Sequence, residues 1–464
     1  MTAVSLIRNA RHWRTGRPFE LAFAGDTILA AGTDLVASGA LARAAAAGAP
    51  AAADPLPGAI DVIDVIDAGG ALLAPGLVDP HVHLRQPGQS GKETIASGTR
   101  AAAAGGFTSV LCMPNTDPVV DTPAWVEWVL ARAREAGHCR VHPIAALTLG
   151  QRGGQLAELV ALREAGAAAF SDDGRPVESA GMMRRALEYA AFAGLPIVCH
   201  EEDMTLRGDG QMNEGPVATR LGIPGIPSAA ESVMVRRDVE LVELTGGRAH
   251  FAHLSCAESL AALRDGKRRG LAVTGETCPH YWTLTDAAVG EGDTNAKMNP
   301  PLRSEYHRRA VIEAIADGTI DCFATDHAPH RAIDKDRPFD QAPFGIVGLE
   351  TALALTLTHL VEPGHIDRAR AIELWTEAPR RVFGLPPAEL APGFPADLVL
   401  IRPEAEWTVA PEQFHSKARN TPFAGFRLKG AVLATICAGR VTHAHPDLAP
   451  RGHRSAAALV EAAG

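Results

Sequence analysis

LLAPGLVDPHVHLRQPG, residues 72–88, is an apolar run that closes on two histidines and an arginine. Alternate residues of a strand point to one side, so His81, His83 and Arg85 share a face. Seven further apolar runs end in polar side chains in the same way. They are TSVLCMPN (108–115), VHPIAAL (141–147), AAAFSDD (167–173), PIVCHEED (196–203), AHFAHLSC (249–256), LAVTGETCPH (271–280) and IDCFATDHAPH (320–330). Amphipathic stretches with helical spacing lie between them, such as PAWVEWVLARAREAG (123–137), GGQLAELVALREAG (153–166) and GMMRRALEYAAFAG (181–194). Most close on a glycine, where a left-handed cap is wanted. Eight strand-helix alternations imply an α/β fold with a (β/α)8 TIM-type barrel, not an open doubly wound sheet.

Outside that region the texture is different. Residues 1–72 carry short alternating runs such as FELAFAGDTILAAG, with Gly-Asp and Gly-Gly turn signals between them, and β texture returns in PADLVLIRP and FRLKGAVLATICAGRVTH. The pattern predicts a small β-sandwich domain built from both chain ends, 1–72 plus 390–446, beside a barrel over 73–389. The low-complexity Ala/Gly/Pro stretch 38–59 reads as a surface insertion, and 447–464 as a carboxyl-terminal tail.

A chain of 464 residues that is 46% hydrophobic can build a large core, which excludes wholesale disorder. Its net charge of -10 argues against general affinity for nucleic-acid backbones. Seven cysteines without paired spacing, several inside apolar runs, read as reduced buried thiols. No segment has the length of a membrane span, and charges break the amino-terminal apolar run too early for a signal peptide. These features together predict a soluble, cytoplasmic protein.

In such a barrel the chemistry sits at the carboxyl ends of the strands. There the runs deliver His81 and His83, Asp172 and Asp173, His200, His253 and Asp326. Four histidines and several carboxylates on one rim form a metal set, because imidazole and carboxylate suit zinc and related divalent ions. Six ligands exceed what one catalytic zinc with an open position takes, but they suit two metals sharing a bridge. A lone HxH would be weak evidence. His443 and His445 form another one beside no barrel strand, and they read as exposed surface histidines.

DPHVHLRQPG, CMPNTDP, FSDDG, CHEED, HLS, KMNPPLR, ATDHAPH and APFGIVGLE together resemble the amidohydrolase superfamily. Within it they are similar to bacterial class I dihydroorotases, the cyclic amidohydrolases of pyrimidine synthesis. Many superfamily members bridge two metals with a carboxylated lysine on the fourth strand, but no lysine occurs here between Lys92 and Lys267. The resemblance instead assigns that role to Asp173. It gives His81, His83 and Asp326 to one metal and His200 and His253 to the other, with two Zn2+ expected and other divalent ions admissible. Asp172 is then a supporting or capping residue.

The resemblance implies the reversible closure of N-carbamoyl-L-aspartate to L-dihydroorotate by way of a hydroxide held between the metals, with Asp326 as catalytic proton shuttle. Arg85 is placed to take the substrate carboxylate. The resemblance adds Asn115 and His330 to that site, and puts Asn299 and the backbone around Phe344 and Gly345 on the ring's amide edge. Arg85 has an alternative as a rim salt bridge with Glu93 or Asp79, and Asn299 as a turn residue before Pro300. His280 reads as support for the site and His250 as structural. RAIDKDRPFDQ (331–341) reads as a mobile loop over the pocket. Competing readings are a hydantoinase, dihydropyrimidinase or allantoinase, and an inactive scaffold for aspartate transcarbamoylase. The sequence leaves open a homodimer and association with a transcarbamoylase.

Overall fold

Gly76 is where one apolar run becomes two strands. The computed structural model describes residues 4–41, 43–44, 63–446 and 452–454, and in it the run from Leu72 divides between two sheets. Leu72–Pro75 (β5) pairs with β1 (Val4–His12) and β16 (Leu398–Thr408), while Leu77–Val82 (β6) opens the barrel. A Cβ on Gly76 would meet the Thr108 Oγ1 at 2.1 Å, so no larger residue fits at this crossing. The barrel therefore starts after Gly76, and residues 73–75 belong to the small sheet.

The barrel strands are β6, β7 (Phe107–Cys112), β8 (Arg140–Ala145), β9 (Ala169–Phe170), β10 (Ile197–Cys199), β13 (Ala249–Phe251), β14 (Val273–Thr277) and β15 (Cys322–Phe323). They pair in parallel in that order. All eight match the runs read from the sequence. A parallel bridge between Val82 and His327 closes the cylinder, and the His83 N–H donates to the His327 carbonyl at 2.9 Å. Helices such as Pro123–Ala136, Ala180–Ala193 and Ser228–Thr245 alternate with the strands. The stretch 153–166 yields only a short helix, Leu159–Glu164, because Leu156 pairs with Thr148 in a β-bridge before it. Between β10 and β13 the chain makes a long excursion that holds a two-stranded sheet, Met212–Asn213 (β11) with Gly225–Ile226 (β12).

Both chain ends meet in one nine-stranded mixed sheet. It runs β18 (Arg440–Ala444), β17 (Arg427–Cys437), β16, β5, β1, β2 (Pro18–Ala24), β3 (Thr27–Gly32), and branches at β1 to β4 (Ile63–Asp67). Leu6 and Ile7 face opposite sides of β1, and each is buried in a different apolar cluster, so this strand is covered on both faces. Of the tail 447–464, Gly452–Arg454 (β19) pairs with β4, and the remainder lies outside the described residues. The insertion 38–59 also lies largely outside them. His443 departs from the surface reading. It is half-buried in β18 against the His415 ring, and burial pushes its pKa down to about 4. All seven cysteines are free and buried. Among the described residues no helix is long and apolar enough to cross a membrane.

The barrel core between strands and outer helices is anchored by Trp375, fully buried, with ring centroids 5.4 Å from both Phe107 and Phe323. Its indole N–H donates to the Thr356 hydroxyl at 3.0 Å. Trp375→Ala is expected to cost about 3–5 kcal/mol in urea unfolding. A loss under about 1 kcal/mol would mean the indole is not packed as described.

Candidate metal centre

The strand ends bring six predicted residues into one buried cluster. His81, His83, Asp173, His200, His253 and Asp326 are each under a tenth exposed. Asp173 lies at the middle. Its Oδ1 is 3.4 Å from His81 Nε2, 3.4 Å from His200 Nδ1 and 3.8 Å from His253 Nε2, and its Oδ2 is 3.6 Å from His83 Nε2. Asp326 Oδ1 stands 3.0 Å from His83 Nε2 and 3.6 Å from His81 Nε2.

Hydrogen bonds on the far side of the rings decide which nitrogens face this centre. Glu276 accepts from His81 Nδ1 at 3.0 Å, so the proton lies there and the Nε2 lone pair points inward. Asn115 orients His83 in a similar way. Its amide N–H can only donate to Asp173 Oδ2, at 3.0 Å, which turns its oxygen to His83 Nδ1 at 2.9 Å. On His200, Nε2 looks toward Glu202 at 3.9 Å and Nδ1 toward His253 Nε2 at 3.0 Å. Imidazole lone pairs and carboxylate oxygens thus converge at 3.0–3.8 Å. Such an arrangement is repulsive unless protons or cations stand between the atoms. His81 Nε2, buried and without a hydrogen-bond partner, fits a cation best. The donor set therefore fits divalent metal, with Asp173 as the atom source reachable by both histidine pairs.

Without a cation, protons take its place. Burial opposes charge on His81, but Asp326 and Asp173 outweigh it and hold its pKa well above the ordinary imidazole value. His200, also buried, is pushed up to about 10 by Asp173 and Glu202. In spite of burial, the carboxyl of Asp173 is held well below the usual range by His81 and His200, and that of Asp326 at about 2 by His81 and His83. His83 moves down, through burial and the neighbouring Arg85.

Arg85 lies beside this cluster, 8% exposed. Burial lowers its pKa to about 10, so it stays charged at neutral pH. Neither rim partner considered for it is engaged. Glu93 binds Ser97, Ser416 and His327, and Asp79 binds Thr325. Arg85 donates to the Pro329 carbonyl at 3.3 Å, and among the described residues no carboxylate lies within ion-pair distance of it. Its Nη2 is 3.4 Å from His330 Nε2, which itself donates to the Phe344 carbonyl at 2.8 Å. Burial and Arg85 keep His330 neutral, its pKa pushed down to about 2.

Asn299 donates to Glu202 Oε2 at 3.1 Å and leaves its buried Oδ1 without a partner. At Gly345 both backbone groups are already engaged. Its N–H donates to the Lys297 carbonyl at 2.9 Å and its carbonyl accepts from Asn420 at 3.0 Å. A Cβ there would meet the Ala328 carbonyl oxygen at 2.7 Å, so the chain passes close behind the site only as glycine. Asp172 ties the turn after β8 by accepting from the Leu147 and Thr148 N–H groups at 2.9 and 3.0 Å. The segment 331–341 is pinned at Lys335, buried, whose ammonium donates to the Thr294 and Pro343 carbonyls at 2.8 Å.

Sequence reasoning missed Glu276. This fully buried carboxylate bonds His81 on one side and His250 Nε2, at 3.1 Å, on the other, which also gives His250 its place. The available signal was an acidic residue inside the apolar run LAVTGET, since a buried carboxylate requires partners. The excursion between β10 and β13 was missed as well. It sets Arg207 over the Phe344 ring at 5.3 Å and Gln211 on Lys297 at 2.7 Å.

Comparison with known proteins decides the family. A curated dihydroorotase from Desulforapulum autotrophicum is 55% identical over 381 residues, covering 82% of this chain and 89% of that protein. The chain belongs to the dihydroorotase family. One from Anaeromyxobacter dehalogenans strain 2CP-1 is 56% identical over 380 residues, at 82% and 88% coverage. A family model described as dihydro-orotase-like matches residues 70–259. Among solved structures, an L-hydantoinase (dihydropyrimidinase) from Arthrobacter aurescens superposes with a TM-score of 0.81, covering 98% of both chains at 22% identity. That likeness is one of fold.

The electrostatics set a sign for metal loading. Imidazolium protons on His81 and His200 persist in the metal-free chain as pH rises, up to about 10 for His200, and must leave when a metal binds. Zinc titrated into the stripped protein at pH 7 is expected to release protons, seen as a calorimetric heat that differs between Tris and HEPES, and to bind more weakly as pH falls. Identical heats in the two buffers would contradict the arrangement. Glu276→Gln leaves every inner atom in place but weakens the hold on the His81 ring, so zinc affinity is expected to fall roughly 10–100-fold in competition with a chelator.

Proposed function

We propose that the chain is a dihydroorotase of the bacterial class I type, interconverting N-carbamoyl-L-aspartate and L-dihydroorotate in the cytoplasm, with two zinc ions. The observation that carries this reading is an inward-facing lone-pair set around Asp173 beside a buried arginine that has no carboxylate partner among the described residues. His81, His83 and Asp326 would hold one ion, His200 and His253 the other, and Asp173 both. The absence of a lysine on the fourth strand supports the class I assignment, in which Asp173 would take the bridging role. When bound, such ions lower the pKa of water and polarise a carbonyl.

The protein's own groups do the rest. In ring opening, water adds to the ring carbonyl carbon, the C–N bond breaks and the nitrogen leaves with a proton. Asp326 takes the proton from the attacking water and returns it to that nitrogen, and in closure it works in reverse. Asp326 carries a proton only in passing, as a shuttle requires. Arg85 receives the substrate carboxylate as a charge-assisted fork, with Asn115 and His330 beside it. Asn299, with its unpartnered oxygen, suits a ring N–H, and Phe344 and Gly345 form the wall behind it. Substrates without a carboxylate, as in the hydantoinase and dihydropyrimidinase readings, would leave Arg85 buried and unpaired, which a site built for a polar group penalises strongly.

An ultraviolet assay of dihydroorotate hydrolysis, run beside hydantoin and dihydrouracil, tests the reading. Arg85→Ala is expected to lose about 2–3 kcal/mol of transition-state binding, roughly 30–150-fold in kcat/KM, for dihydroorotate alone. Faster turnover of hydantoin or dihydrouracil than of dihydroorotate by the unaltered protein would overturn the substrate assignment.

A further inference from the structure

At the opposite end of β6 from His81, a cavity of about 660 Å³ opens between the small sheet and the stretch 377–391. The volume falls in the range of small-molecule sites. Leu385 and Leu390 supply apolar lining, Trp13 lies beneath the Arg14 guanidinium, which stands 4.5 Å from its ring centroid, and Arg14, Arg380 and Arg381 line the cavity with the acidic residues Glu377 and Glu389. Two of the three guanidinium groups are compensated. Arg14 pairs with Glu377 at 2.5 Å, and Arg381 with Glu373 at 2.9 Å.

Arg380 differs from them. It is 6% exposed, and among the described residues no carboxylate lies within ion-pair distance of it. Its Nη1 donates to the Pro386 carbonyl at 3.2 Å, its Nη2 makes a long contact of 3.5 Å to the Gly76 carbonyl, and its Nε–H finds no acceptor. Asp397 is the carboxylate whose field reaches it, but that group is already taken. It accepts from Arg140 at 2.7 and 3.3 Å and from the Ala438 N–H at 2.7 Å. A buried cation without a counter-charge is costly, and a cavity at its side gives room for one.

We propose that this cavity binds a small organic oxyanion, its carboxylate or phosphate-ester head on Arg380 and its apolar body against Leu385 and Leu390. A guanidinium fork matches either head, and the apolar walls select the body. The site is separate from the metal centre and does not depend on the activity proposed above.

Equilibrium binding to the metal-loaded full chain tests it, with 1-naphthyl phosphate, 1-naphthoate and neutral 1-naphthol as probes. The phosphate and carboxylate arms report which head is preferred. At least one anion is expected to bind saturably and about tenfold or more tighter than naphthol, with affinity falling as salt rises. Arg380→Met should abolish that preference, and Ala388→Trp, which fills the cavity without altering Arg380, should abolish binding. Arg85→Ala should leave it intact. Should Arg380→Met fail to fold, Ala388→Trp decides alone. Equal binding of naphthol, no saturable binding of either anion, persistence in Ala388→Trp, or loss in Arg85→Ala would each overturn the proposal.

Discussion

The fully buried carboxylate of Asp79 fixes the geometry on which the centre depends. It accepts from the Thr325 N–H and the His81 N–H, each at 3.1 Å, and from the Thr325 hydroxyl. These bonds join the first barrel strand to the segment after the eighth, 246 residues further along the chain. They therefore close the cylinder just below His81, His83 and Asp326. Burying a carboxylate in so apolar a place is unfavourable, which is why its pKa is pushed up to about 7. Three donors on two oxygens offset that cost, and together with the Val82–His327 bridge they hold the two ends of the sheet in register.

Closure supplies position, and a second layer of hydrogen bonds supplies orientation. Glu276 sets the His81 ring, Asn115 sets His83, and Glu202 faces the outer nitrogen of His200. Each leaves a lone pair directed at the same small volume. The strain of holding like atoms together is spread over partners from three segments, β14 and the loops that follow β7 and β10. A metal arriving here finds ligands already aimed, so little conformational freedom is lost on binding.

The eight strands and six inward residues were legible because burial leaves a period in the sequence and polar residues interrupt it at strand ends. What was not legible depends on pairing. The run from Leu72 is uniformly apolar, and only the Thr108 side chain against Gly76 reveals that it serves two sheets. Glu276 looks like an ordinary polar residue until His81 and His250 are seen on its two sides. The resemblance put the Gly345 backbone at the ring's amide edge, but nothing in the sequence shows that its N–H is already given to Lys297. His443 has the spacing of a surface pair, yet its neighbour across space, His415, is what buries it. Sequence period reports how deep a residue lies and is silent about what it meets there.

Net charge is a poor guide to the field at such a site. The chain carries -10 overall, yet the wall around Phe344 is built on cations. Lys297, 2% exposed, places its ammonium 4.6 Å from the Phe344 ring centroid and donates to the Phe339 carbonyl and to Gln211. Lys335 donates only to backbone carbonyls. Burial brings these two amines down to about 8 and about 7. Arg85 adds a further cation beside this wall, whereas Arg207 is paired with Glu202 at 3.4 Å. For an anionic substrate these cations offset the net negative charge of the chain close to the centre, an attraction that weakens as salt rises.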